Sequence, residues 1–137
     1  MKSIQLILAF MLVSFTSNAQ LNITVSNIGE SKGKILIAIY NSESAYMHQP
    51  KAVRTIKVTI YKKTASYSFR NLPKGYYAIS LYQDLNSNSE LDENFFGIPT
   101  EPYGFSNNAR GTFGPPSYSE SKFYYNGKSR SLNIKVD

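Results

Sequence analysis

The residues best placed to do chemistry form one acidic bend, Asp84-Leu85-Asn86-Ser87-Asn88-Ser89-Glu90-Leu91-Asp92-Glu93, with an oxygen-bearing side chain at every second position from Asp84 to Asp92. A hard cation such as calcium takes about six to eight oxygens, and a loop with ligands at alternate positions can wrap around one. Asp84, Asn86, Asn88 and Asp92 would offer side-chain oxygens and Glu90 its main-chain carbonyl. Glu93, or Glu101 folding back, would complete the set, and Leu91 in the eighth place would anchor the loop on the core. The sixth place holds Ser89 rather than glycine and the twelfth Phe95 rather than a bidentate glutamate. So incomplete a set predicts weak affinity, on the order of 10⁻⁴ to 10⁻³ M. Four carboxylates within ten residues repel one another unless a cation or solvent separates them. The alternative is a metal-free Asn/Ser/Asp turn, closed by its own side-chain-to-backbone hydrogen bonds. Either way the bend would hold the surrounding chain rather than catalyse.

Other reactive groups are scarce. The chain has no Cys and one His, His48, in a polar stretch. That excludes a disulfide framework, a thiolate zinc site and a cysteine nucleophile. No G-x-S-x-G, H-E-x-x-H or phosphate-cradling glycine loop occurs. A pair such as Glu93 with Glu101 would suit glycoside hydrolysis, but any acidic cluster offers such pairs. The expectation is a non-enzymatic protein. A second reading is a glycan or small-ligand site built from Tyr103, Phe105, Asn107, Asn108 and Arg110, since flat rings and planar amides suit binding pockets. Against it, a long loop must bury its rings to offset the entropy of ordering it, which makes them hydrophobic anchors. Asn107 and Asn108 would then set a turn, and Arg110 would pair with Glu101 or Asp92.

Charge is unevenly spread over the 137 residues. Between Gly75 and Ala109 there is no Lys or Arg, yet five of the nine acidic residues lie there. At the start, Lys2, an apolar run over residues 4–15 and Ser17-Asn18-Ala19 read as a secretory leader cut after Ala19. That run is shorter than the roughly 20 residues that span a bilayer. The mature chain, residues 20–137, is one domain in length. Its lysines are scattered along alternating stretches, which reads as solvent faces of strands and not as a nucleic-acid surface.

Seven short runs alternate as strands do: residues 20–28, 34–40, 53–61, 64–70, 76–82, 122–125 and 131–136. Residues 34–40 (KILIAIY) are apolar on both faces, as a central strand would be. One helical turn is expected around residues 44–48. Lys62-Lys63 and Asn126-Gly127 predict hairpins, and Asn71-Leu72-Pro73-Lys74-Gly75 a tight turn. With almost no helical period, the pattern predicts an all-β fold, a single antiparallel β-sandwich of about seven strands, immunoglobulin-like or transthyretin-like. Residues 84–121 break the alternation. Loops this long are functional or disordered, and the six aromatic rings here argue for an ordered cap.

Several of these stretches carry a family likeness. Leu72-Pro73-x-Gly75-Tyr76-Tyr77, Asp84-x-Asn86-x-Asn88, Leu91-Asp92 and Phe96-Gly97-Ile98-Pro99-Thr100-Glu101 are followed by Tyr103-Gly104-Phe105-Ser106-Asn107-Asn108-Ala109 and Phe113-Gly114-Pro115-Pro116. Together they resemble the DUF2141 family of bacterial secreted proteins, across essentially the whole mature chain. Members usually read D-x-N-G-N-G-x-L-D in the bend, where this chain has Ser87 and Ser89 in place of both glycines. The family has no assigned function, so the likeness implies a class without a mechanism. The Pro-x-Gly-x-Tyr turn also looks like transthyretin-like and carboxypeptidase-regulatory sandwich modules, which often serve as binding or stalk domains. The Asn18-Ala19-Gln20 junction is similar to that of secreted Bacteroidetes proteins, which implies a Gram-negative periplasm or cell surface.

Overall fold

A computed structural model describes residues 19–137, so the apolar run of the expected leader lies outside the described residues. Eight strands form two sheets. β1 (Gln20–Ser26), β4 (Ala65–Arg70) and β8 (Arg130–Lys135) make a three-stranded sheet in the order β4-β1-β8. The second sheet runs β3 (Arg54–Thr59), β2 (Lys34–Tyr40), β5 (Gly75–Asp84), β6 (Tyr103–Phe105). β7 (Phe123–Tyr125) also pairs with β5, Tyr77 facing Phe123, while β6 takes Ser80 to Tyr82 farther along. No helix among the described residues is long and apolar enough to cross a membrane.

Alternation places the core where period-two burial demands it. Leu21, Ile23 and Val25 from β1, Phe69 from β4 and Ile134 from β8 meet Ile35, Ile37, Ile39, Ile79 and Leu81 across the gap between sheets. The all-β sandwich expected from the sequence is the fold observed. β2 explains its own composition. Its odd-numbered isoleucines fill the inter-sheet core, and Ala38 and Tyr40 on the opposite face join a second apolar cluster with Ala45, Tyr46, Ala78 and Phe105.

Three expectations need correction. β3 and β4 are not a hairpin: beyond the single bridge of Tyr61 to Thr64, β3 pairs with β2 and β4 with β1. The turn at Lys62-Lys63, both at positive φ, carries the chain from one sheet to the other, so that Val58, Ile60, Ala65 and Phe69 enter one core. The Asn126-Gly127 turn likewise crosses between sheets, since β7 joins β5 and β8 joins β1. The β1–β8 pair is parallel, so the sandwich is not wholly antiparallel. In the turn before β5 both Asn71 (φ 60°) and Gly75 (φ 157°) have positive φ. The expected helical turn is present near Ser42 to Tyr46, followed by a short 3₁₀ segment, Gln49–Lys51.

Two close approaches fix the frame. Gly33 has φ +68° and a Cβ there would sit 1.9 Å from the Asp84 carbonyl oxygen, so the β1–β2 connection lies directly on the end of β5. Beside it Gln83, 1% exposed, donates from Nε2 to the carbonyls of Glu30 (2.9 Å) and Lys32 (2.8 Å). Gln83→Leu leaves both carbonyls without this donor and should cost about 1–3 kcal/mol. A urea titration would show it as a lowered midpoint at unchanged slope.

Candidate ligand groove and acidic bend

The acidic bend begins where β5 ends. Asp84, 3% exposed, accepts the backbone N–H of Asn88 on Oδ1 (3.2 Å) and of Ser89 on Oδ2 (2.8 Å). Asn86 and Asn88 cap the next turns, Oδ1 of each accepting the N–H two residues on. Their amide nitrogens donate to the two oxygens of Asp92, from Asn88 at 2.7 Å. Glu101, 5% exposed, closes the far side. Its Oε1 accepts from Leu85 N (3.0 Å) and its Oε2 from Asp92 N (3.1 Å), tying both ends of the bend to the strand that returns.

Asp84, Asn86, Asn88, Asp92 and Glu101 are therefore brought together, as the spacing implied. Glu90 and Glu93 point the bend's remaining charge elsewhere: both are exposed and line a cavity. For a cation the fit is partial. The carboxylates of Asp84, Asp92 and Glu101 each have free lone pairs, but Asn86 and Asn88 turn amide nitrogens, not oxygens, toward Asp92. Among the described residues no three acidic, His or Cys groups come close enough to hold a metal. Ser87 (φ 58°) and Ser89 (φ 64°) are left-handed at the two places where the resemblance leads one to expect glycine. The loop keeps the glycine backbone without the glycines.

Beyond the bend the cap runs in two arms. The first folds as a small ladder: Thr100 N donates to Asp92 O (2.8 Å), Asn94 N to Ile98 O (2.9 Å), and the Asn94 side chain accepts from Phe96 N and Ile98 N. The second is pinned by a helical turn, Tyr118–Ser121, with a capping box between Ser117 and Glu120. Tyr46 donates its hydroxyl to Pro116 O (3.1 Å) and packs edge-on to Tyr118. Ser106, fully buried, accepts from Ile79 N (2.9 Å) and donates to Ser121 O.

Between the arms and the outer face of the second sheet lies a cavity of about 540 Å³. Its floor is Leu36, Ala38 and Tyr40 of β2, Ser80 and Tyr82 of β5, and Tyr103 and Phe105 of β6. Leu91, Ile98 and Pro99 from the first arm and Pro115 from the second wall it. Burial pushes the Tyr82 hydroxyl up to about 12, and the negative charges of Asp84, Glu101, Glu90 and Asp92 add to it. Tyr40 is raised chiefly by burial, against a hydrogen bond to Ser80.

Of the residues singled out as a ligand site, Tyr103 and Phe105 line this groove. Asn107 and Asn108 do not. Both sit at positive φ, Asn107 donating to the carbonyls of Glu120 and Lys122, Asn108 accepting from Lys135 N (2.9 Å). Arg110 pairs with Asp137 rather than with Glu101 or Asp92, because Glu101 is buried under the bend's own N–H groups and Arg110 lies beside the end of β8. With Asn108, Arg110 lines a smaller hollow of about 180 Å³. Nor are all the cap's rings anchors: Phe105 is buried, but Phe95 is 98%, Phe96 82% and Phe113 fully exposed. The groove floor on β2 and β5 is what the loop-centred reading missed, and the two-faced KILIAIY run was its signal.

The architecture defines a two-sheet all-β domain with an ordered cap over one outer sheet face and a cavity beneath it. Residues 23–133 match the model of DUF2141, described as an uncharacterized protein conserved in bacteria, and the chain belongs to that family. No curated protein matches the chain, and no solved structure does.

Ser87 offers the cleanest test of the bend's backbone, since among the described residues its hydroxyl bonds to nothing. Holding a non-glycine residue left-handed costs about 1–2 kcal/mol, partly offset by the chain entropy a glycine adds. Ser87→Gly should therefore stabilise the protein by about 0.5–1 kcal/mol, a rise of about 2–4 °C in Tm for a domain of this size by calorimetry.

Proposed function

We propose that this protein is a secreted, non-enzymatic binding module whose groove takes a small ligand with an apolar body. The cavity under the cap carries the reading: it has the volume and the largely apolar, aromatic lining of small-ligand sites, with a few hydroxyls to orient the guest. Leu36, Ala38, Leu91, Ile98, Pro99 and Phe105 supply an apolar surface along which a sugar's hydroxyls would go unpaired, while Ser80, Tyr82, Glu90 and Glu93 offer polar partners at fewer points. An apolar body suits this lining better than a glycan does. The leader read from the sequence supports export, and the absence of the common nucleophile and metalloprotease motifs supports a role without catalysis. A neutral probe, 4-phenylbutanol, should bind saturably by calorimetry and shift tyrosine resonances. Ile98→Asp, a change at a 58% exposed rim position, should weaken it about tenfold by placing a charge in the lining. No saturable binding to the native protein would overturn the reading.

A second reading concerns the bend, and one observation favours it. Asp84 and Glu101 are buried, and among the described residues the ion pair present, Arg110–Asp137, involves neither of them. Buried carboxylates ordinarily have a cationic partner or a metal. We propose that calcium occupies the bend weakly, with the Asn86 and Asn88 amides turning their oxygens inward, and holds the cap in place. About 10 mM calcium should then add roughly 1.5–3 kcal/mol of stability over chelator. Asp84→Asn should abolish the difference, and superimposable melting curves of the native protein in calcium and in chelator would sink this reading.

A further inference from the structure

The groove combines two things that together select a ligand charge. Of its lining residues none is Lys, Arg or His, while Glu90 and Glu93 carry carboxylates on the side of the first cap arm. Neither takes part in an ion pair among the described residues. Lys57 on β3 donates from Nζ to Ser89 Oγ at 2.7 Å and forms no ion pair with either glutamate. The rings of Tyr40, Tyr82, Tyr103 and Phe105 share the same lining. Aromatic faces carry negative quadrupole charge and attract ammonium groups, most strongly where water is partly excluded.

Resting on the groove being a ligand site, we propose that its ligand is a small organic cation, an apolar body ending in an ammonium group that lies between Glu90, Glu93 and the tyrosine rings. Charge complementarity sets this choice. A carboxylate or phosphate in the same place would meet two like charges and no basic residue in the lining, and a neutral ligand would leave both glutamates unused. Phe96 directly precedes Gly97 and Ile98 of the lining, and Phe113 lies between Thr112 and Gly114 of the lining. Both rings are exposed beside those lining residues, Phe96 edge-on to Phe95, and are available to cover the apolar body.

Three probes with one body and different ends, 4-phenylbutylammonium, 4-phenylbutanol and 4-phenylbutyrate, would be titrated into the full mature protein in chelator, so that a cation in the bend plays no part. The ammonium should bind about tenfold tighter than the alcohol, which is the size expected of one or two partly exposed charge contacts, and the carboxylate weakest. In Glu90→Gln/Glu93→Gln the ammonium should fall to the affinity of the alcohol, with near-ultraviolet tyrosine signals confirming the fold. If native protein binds ammonium and alcohol alike, or prefers the carboxylate, the charge inference is overturned while the groove stands as a site. A preference that survives the double substitution also overturns it, by removing its residues. If none of the three binds, the groove itself is not the site.

Discussion

Along β2, Ile35, Ile37 and Ile39 alternate with Leu36, Ala38 and Tyr40, and both rows must be kept from water. The first row is met by the opposite sheet. The second has no third layer to meet it, and among the described residues there is no long helix to supply one. Covering that outer face falls to the segment between β5 and β7, which explains why so much of the chain leaves regular structure yet stays ordered. The hydrophobic demand is local and large, because each fully covered aliphatic or aromatic side chain is worth about 1.5–3 kcal/mol. Coverage is incomplete, and the gap is the groove.

A cap of irregular backbone brings its own cost, since its N–H and C=O groups need partners once water is excluded. The carboxylates answer much of it. Asp84 and Glu101 together accept four backbone N–H groups, Asp92 O accepts two donors from Thr100, and Ser106 and Asn107 take up the second arm. Seen this way the acidic character of the segment has a structural origin independent of any ion. Ionised acceptors make stronger hydrogen bonds than neutral ones, and they sit where no ladder can form.

Much of this was legible beforehand. Strand positions follow from alternation, and the two-faced KILIAIY run marked its strand as central. The partners of strands were less legible, because Lys62-Lys63 and Asn126-Gly127 have hairpin chemistry yet feed strands of different sheets; the shared core, not the turn, decides where they go. β6 escaped notice because three residues are too few to show a period, and pairing with β5 supplies what Tyr103-Gly104-Phe105 lacks. Gly104 is there for proximity: a Cβ would stand 2.4 Å from the Lys135 carbonyl oxygen. In the bend, oxygen spacing foretold which residues converge but not how their amides turn. Exposure of Phe95, Phe96 and Phe113 ran against the expectation that rings bury themselves, which holds for Phe105 beneath them.

The parallel pairing of β1 with β8 sets Leu21 beside Arg130 and Val25 beside Ile134. During synthesis β1 emerges early and its neighbour last, so the nascent chain carries an unpaired apolar edge until nearly everything else has been made. Contacts of such long sequence separation slow folding. The three-stranded sheet therefore closes only once β8 has been made.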